Sequence, residues 1–214
     1  MIIYTIIFTY LKKQELSTKW PLWCRFINRK ILDKIIKYDT LNYGFRMYCG
    51  KQGSGKTYSA VKKALDLTKE NTNLISNLQL NVPYNYIYIK TIDELEYCLS
   101  PDKQNIVVLD EIQTMLDSRN FNADFYKLFC QLRKRNVLIL GTAQVFERVA
   151  KPLREQCNRL FFCKTFSGCL TVVREVAVLL NSSCELCSPL TDLGVNYYVQ
   201  SDKYRSAYST TQII

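Results

Sequence analysis

The 214-residue chain contains no histidine. That absence excludes a histidine general base, a histidine-ligated metal and a Ser-His-Asp triad, so acid–base chemistry falls to carboxylates. Glycine is scarce at seven residues and proline scarcer at five. A chain this sparing with its most flexible residue spends it where the backbone needs it. No stretch has the length and apolarity of a membrane span. The apolar start, Met1 to Leu11, stops at Lys12-Lys13. As a helix it would reach about 17 Å, against a hydrocarbon core of roughly 30 Å. Its Ile, Tyr, Thr and Phe content favours a buried strand instead. A cleavable secretory signal is also missing, and the nine cysteines are odd in number. Both point to free thiols in a reducing cytoplasm. Cys184-Glu185-Leu186-Cys187 is a lone CxxC. Completed by two of Cys157, Cys163 and Cys169 it would make a zinc site, but its spacing is not that of a known knuckle, and plain buried thiols are the competing reading.

What is present is ordinary in bulk: 48% hydrophobic and 22% charged residues, enough for one domain with a full core. Twenty-nine Lys and Arg against nineteen Asp and Glu leave a formal charge of +10. This balance favours a polyanionic partner, nucleic acid or an acidic membrane surface.

Three of the seven glycines fall within eight residues, Gly50-Lys51-Gln52-Gly53-Ser54-Gly55-Lys56-Thr57. These match the phosphate-loop pattern GxxxxGK[ST] at every fixed position. The backbone of such a loop curls so that successive N–H groups point at phosphate oxygens. Lys56 supplies a point charge for the β- and γ-phosphates, and Thr57 a hydroxyl for Mg²⁺. The context fits: β-prone Phe45–Cys49 precedes the loop, and Lys56 to Lys69 follows with Ala60, Val61, Ala64, Leu65 and Leu67 near helical spacing.

About 55 residues on, Asn105-Ile106-Val107-Val108-Leu109-Asp110-Glu111 is an apolar strand ending in two acids, a Walker B element. Asp110 is the candidate Mg²⁺ ligand and Glu111 the group that polarises the attacking water. The next apolar run, Val137–Leu140, leads into Gly141-Thr142-Ala143-Gln144. A parallel sheet opens that strand's C-terminal end onto the same crevice, so Gln144 is a candidate for the γ-phosphate or its water. Just before this strand, Arg133 and Arg135 are candidate fingers for a neighbouring subunit, with Arg119, Arg148, Arg154 and Arg159 as rivals. DNA phosphate contact or a solvated helix end are the other readings. No guanine-type NKxD motif occurs, which tilts the base toward ATP.

Alternating strands and helices over 44–176 predict an α/β fold with a mainly parallel central sheet and helices on both faces. The expected elements include short Asn73–Ser76, the β-prone run Tyr84–Ile89 entered at Pro83, a helix from Thr91 with a Thr91/Glu94 capping box, and a helix over Ala123–Arg133. Leu160–Cys163 and Leu170–Val173, parted by Ser167-Gly168, predict an antiparallel edge hairpin. Tyr197–Val199 reads as a late strand in a less regular part from about 177. Residues 1–43 read as an accessory segment: the apolar start, then a basic amphipathic helix opened by Pro21. It carries Trp23, Ile27, Ile31 and Ile35 as one stripe and Arg25, Arg29, Lys30, Lys34 and Lys37 around it. That helix is read as packed on the core or a neighbouring subunit, as a membrane-surface helix, or as DNA-facing.

The order of motifs — phosphate loop, Asp-Glu strand, Arg-rich segment, strand ending in Thr-x-Gln — resembles the FtsK–HerA superfamily of ATPases. Within it, the chain is similar to two compact viral groups: genome-packaging ATPases, and the zonular occludens toxin-like assembly ATPases of filamentous phages. Gly50–Thr57, Ile106–Gln113 with its LDEIQ, Leu132–Gln144 and the Tyr-rich Tyr204–Thr210 carry the likeness, which covers roughly 44–176. It departs at Leu132-Arg133-Lys134-Arg135, where the toxin-like branch usually has a His-Arg-His-like segment. It departs again in lacking that branch's usual membrane span after the core.

The resemblance implies a RecA-like P-loop NTPase core and an oligomeric ring, often hexameric, binding ATP and Mg²⁺. The implied function is ATP-driven translocation of DNA during genome packaging or virion assembly. The alternative is a membrane-docked ATPase driving filamentous phage extrusion through a partner protein. DNA, capsid or portal proteins, and a membrane surface met through residues 1–38 are the expected partners. The host cytoplasm is the expected location, with membrane or virion association as further possibilities. A small-molecule kinase is the competing class, disfavoured because Glu111 with Gln144 suits water as the acceptor.

Overall fold

The computed structural model describes residues 43–115, 123–181, 183–187 and 190–209. The expectations for the N-terminal strand and amphipathic helix, and for Arg119, lie outside them.

Strand β1 (Gly44–Cys49) is buried throughout and runs into the glycine-rich loop, after which α1 (Lys56–Leu67) begins. β2 (Thr72–Ser76) and the two-residue β3 (Ile87–Tyr88) follow, then a 3₁₀ turn Ile92–Glu94 and the short α2 (Leu95–Cys98). β4 (Gln104–Leu109) ends at the acid pair, with α3 (Ile112–Met115) after it. α4 (Ala123–Cys130) leads to β5 (Val137–Ala143), and α5 (Lys151–Gln156) to β6 (Cys157–Phe166). β7 (Leu170–Ala177), β8 (Asp192–Val199) and α6 (Asp202–Arg205) complete the order.

The eight strands form one sheet in the order β3-β2-β4-β5-β1-β6-β7-β8. It is parallel from β3 to β6 and antiparallel across β6, β7 and β8. This is the mixed, mostly parallel sheet expected. The edge hairpin is real and is extended by β8 into a three-stranded meander.

Period-two alternation builds the two cores. Leu74, Ile106, Val108, Leu138 and Leu140 point to one face and meet Ala60, Val61 and Ala64 of α1. Ile75, Val107, Leu109, Val137 and Ile139 point to the other and meet Ile112, Leu128, Phe129 and Leu153. Strands buried on both faces read as continuous apolar runs, which is why the sequence displays them so plainly.

Three local expectations are corrected. Of Tyr84–Ile89 only Ile87–Tyr88 pairs, both exposed at the sheet's edge. Thr91 makes no side-chain cap; the Glu94 carboxylate instead accepts the Lys90 N–H at 3.0 Å, one residue ahead of the proposed box. The helix expected over Ala123–Arg133 stops at Cys130. It gives way to turns through Asn136, whose φ is 51°. These turns bury Leu132 and leave Arg133 and Lys134 exposed.

Candidate active site

β5 lies between β1 and β4, with Cys49 opposite Ala143 and Leu109 opposite Gly141. The phosphate loop and the acid pair therefore leave neighbouring ends of the same sheet edge. Between them is a cavity of about 560 Å³ lined by Gln52, Gly53, Gly55, Lys56 and Thr57 of the loop and by Asp110 and Glu111.

Lys56, Thr57 and the two acids each have a defined partner. The Thr57 hydroxyl donates to Asp110 Oδ1 at 2.7 Å, and the Thr142 hydroxyl donates to the same oxygen at 2.7 Å. Thr142 also accepts the Glu111 N–H at 2.9 Å, so one buried hydroxyl ties both acids together. Asn77, just past β2, accepts the Asp110 N–H at 2.8 Å and donates to the Asp110 carbonyl at 3.0 Å. Lys56 Nζ stands 2.7 Å from Glu111 Oε1. Gln113 donates to Glu111 Oε2. Glu111 itself has φ 48°, left-handed backbone that a non-glycine residue adopts at a cost of order 1–3 kcal/mol.

Asp110 is buried, and that burial pushes its carboxyl above the usual carboxylate range. The two threonine hydroxyls and Lys56 pull it back, while Glu111 pushes it further up. The donor set, a threonine hydroxyl and a carboxylate, suits a hard ion such as Mg²⁺, which takes few protein ligands and completes its shell with water and phosphate. Among the described residues no group of three or more Cys, Asp or Glu could hold a metal. Cys184 of the CxxC donates to Glu155 at 3.0 Å instead.

The loop is shaped by contact as well as by flexibility. Gly55 has φ 82°, and a Cβ there would lie 2.6 Å from Thr165 Oγ1 and 3.1 Å from Thr171 Oγ1. The meander thus presses on the loop where α1 starts. Ser54, whose buried hydroxyl has no hydrogen-bond partner among the described residues, donates its N–H to the Lys51 carbonyl at 3.1 Å. The Gly50 N–H reaches the Ala143 carbonyl at 3.3 Å. Lys51 is exposed at the loop's tip.

Other sequence candidates lie elsewhere. Gln144 is exposed one residue past β5 and is not among the residues lining the cavity; Gln113 takes the place beside Glu111. Arg133 and Arg135 sit before β5, at the opposite end of the sheet from the cavity. Arg133 lies over the Tyr43 ring at 5.4 Å, and Arg135 pairs with Glu96 at 2.8 Å. Arg159 faces Glu175 at 3.5 Å. Thr142 and Asn77 were missed. For Thr142 the available signal was a hydroxyl at the end of the apolar run Val137–Leu140; the mixed strand before Asn77 gives no such signal.

A family model for zonular occludens toxin (Zot) matches residues 45–168. Among solved structures, the N-terminal domain of zonular occludens toxin from Neisseria meningitidis superposes with a TM-score of 0.56 at 15% identity, covering 78% of this chain and 98% of that one. The genome-packaging NTPase B204 of Sulfolobus turreted icosahedral virus 2, in complex with AMPPCP, gives 0.47 at 12% identity over 59% and 78%. A comparison with curated proteins gives no match.

Proposed function

From the chain's membership of the zonular occludens toxin family, we propose that it is a Mg²⁺-dependent ATP hydrolase that powers phage virion assembly by driving DNA. The observation that carries the hydrolytic part is the joint placement of Lys56, Thr57, Asp110 and Glu111 around one cavity at the end of β1 and β4. Thr57 and Asp110 would hold Mg²⁺, which when bound offsets charge on the β- and γ-oxygens.

Phosphate oxygens compete with Glu111 for the Lys56 ammonium. Once Lys56 turns to phosphate, Glu111 is left with Gln113 and can take a proton from water. The Thr142 bridge and the Asn77 clamp keep both acids in place during that exchange, so the groups need no reorganisation when charge develops. DNA as cargo is supported by the charge of +10. The alternative is a membrane-docked machine acting through a protein filament, which the resemblance to the toxin-like assembly ATPases implies. Among the described residues no helix is long and apolar enough to cross a membrane.

The test is ATP hydrolysis by the full chain with and without long DNA, with Lys56→Ala as blank. Stimulation by DNA that fades with salt supports a DNA-driving motor. Lys56-dependent hydrolysis indifferent to DNA moves the reading to the filament machine. No Lys56-dependent hydrolysis overturns both.

A further inference from the structure

Part of the cavity's wall comes from the chain's last described segment. Gln200, Tyr208 and Ser209 line it, together with Thr165 of β6, Gly168 of the β6–β7 turn, and Leu78 and Thr114. This segment is held at both ends. At one end Gln200 donates to the Thr171 hydroxyl at 2.8 Å and accepts from Arg205 at 2.9 Å, and Arg205 also donates to the Gly168 carbonyl. The Ser201 N–H reaches the Tyr58 hydroxyl of α1 at 2.9 Å. At the other end Leu80 and Tyr208 form an antiparallel bridge, the Asn81 N–H reaches the Ala207 carbonyl at 2.8 Å, and Ala207 is buried in the α1-side core.

The two ends serve different sides of the site. Gln200 secures Thr171 and Thr165, which press on Gly55. Tyr208 stands on the side of the acids, pinned to the chain just past Asn77, whose amide clamps Asp110. Burial, and after it the nearby Asp110 charge, push the Tyr208 phenol up to about 12. A tyrosine hydroxyl is protonated at neutral pH with or without that shift and can donate a hydrogen bond. Tyr208 lines the same cavity as Lys56, Asp110 and Glu111, the residues that the reading above assigns to the terminal phosphates, their Mg²⁺ and the attacking water.

We propose that residues Gln200–Ser209 form a wall of the nucleotide site and that Tyr208 recognises the terminal phosphate of a nucleoside triphosphate, making it a residue that separates triphosphate from diphosphate. The inference rests on the phosphate-site reading above. It concerns residues outside the matched family region, 45–168.

The experiment compares wild type with Tyr208→Phe, which keeps the ring and removes the donor. Affinities for Mg²⁺–AMPPNP and Mg²⁺–ADP are measured by calorimetry on the full chain, beside thermal unfolding. The expected result is about a tenfold loss for AMPPNP, the size of one hydrogen bond to a charged group, with ADP within about twofold. Trypsin provides a second readout without mutation, because Lys203 and Arg205 are exposed within the segment. Cleavage there should slow with AMPPNP more than with ADP. Equal affinity of Tyr208→Phe for AMPPNP, or an equal loss for both nucleotides, overturns the role of Tyr208. Cleavage indifferent to nucleotide overturns the wall. A wild type that binds neither nucleotide, or a Lys56→Ala variant that binds both as well as wild type, overturns the phosphate-site reading itself and this inference with it.

Discussion

Asp110 is where two demands on one side chain conflict. The Mg²⁺ role proposed for it needs the carboxylate, and burial disfavours that form. A carboxyl whose pKa is raised on folding binds its proton more tightly folded than unfolded. Its contribution to stability is therefore full below the ordinary carboxylate range and is lost as pH rises through the raised value. Asp110→Asn removes the buried charge but keeps an oxygen for Thr57 and Thr142. At pH 7 its melting temperature should rise by about 2–4 °C, corresponding to about 1 kcal/mol for a chain of this size. The gain should shrink as pH falls into the carboxylate range, and hydrolysis should be lost. An unchanged or lower melting temperature at pH 7 would show that the hydroxyl pair already offsets burial. Glu111→Gln addresses the neighbouring acid. It should keep ATP binding and slow turnover by about 10²–10⁴, the usual worth of a general base, as read from single-turnover kinetics. The loop glycines, Lys56 and the acid pair were legible because their chemistry needs fixed residue types at fixed spacing. Thr142 and Asn77 were not, because they act through strands that are distant in sequence and touch only in the folded sheet.

At the scale of elements, the meander acts as a backstop to the phosphate loop. Thr165 and Thr171 share a hydrogen bond at 2.9 Å, and both stand where a Gly55 side chain would be. Gly55→Ala adds a Cβ against side-chain oxygens and requires a left-handed φ, so the loop must shift. Nucleotide binding should fall at least tenfold while the sheet survives, as checked by nucleotide titration beside circular dichroism. Thr171→Val preserves shape but cuts the bonds that buried Thr171 makes to the half-buried Thr165 and Gln200. It should destabilise by about 1–3 kcal/mol in urea unfolding. The central strands of this element set were legible from their apolar runs, and the β6–β7 turn from Ser167-Gly168, with φ of 48° and 68°. The Thr91 box was not, because a four-residue helix has too few turns for its cap to decide its entry. The late strand Tyr197–Val199 was legible and lies within β8, but the strap after Gln200 read only as a tyrosine-rich tail, since its partners Leu80, Tyr58 and Gly168 are scattered along the chain.

At the scale of the whole molecule, the two ends of the sheet carry different chemistry. The C-terminal ends of β1 and β4 hold the cavity. The start of β5, at the other end, presents Arg133 exposed and Arg135 paired with Glu96 at the surface. Neither arginine can serve its own cavity from there without refolding the intervening strand, which is buried throughout. If copies assemble so that the arginine end of one faces the cavity of the next, the finger acts in trans, and such groups are worth about 10³–10⁵ in rate. The Glu96 pair is exposed and contributes little to stability, so Arg135→Ala should unfold with wild type to within about 0.5 kcal/mol while losing hydrolysis. Mixing Arg135→Ala with Lys56→Ala then discriminates. Each is inactive alone, yet a mixed assembly has interfaces where an intact Lys56 faces an intact Arg135, and hydrolysis should return in proportion to their number. The same mixture with Arg133→Ala identifies which arginine is used. Activity that stays at the level of the inactive parents in both mixtures removes the trans finger and leaves both arginines, with the +10 charge, to DNA phosphates. In that case the signature moves to binding, and each substitution should reduce the slope of log affinity against log salt by about 0.9.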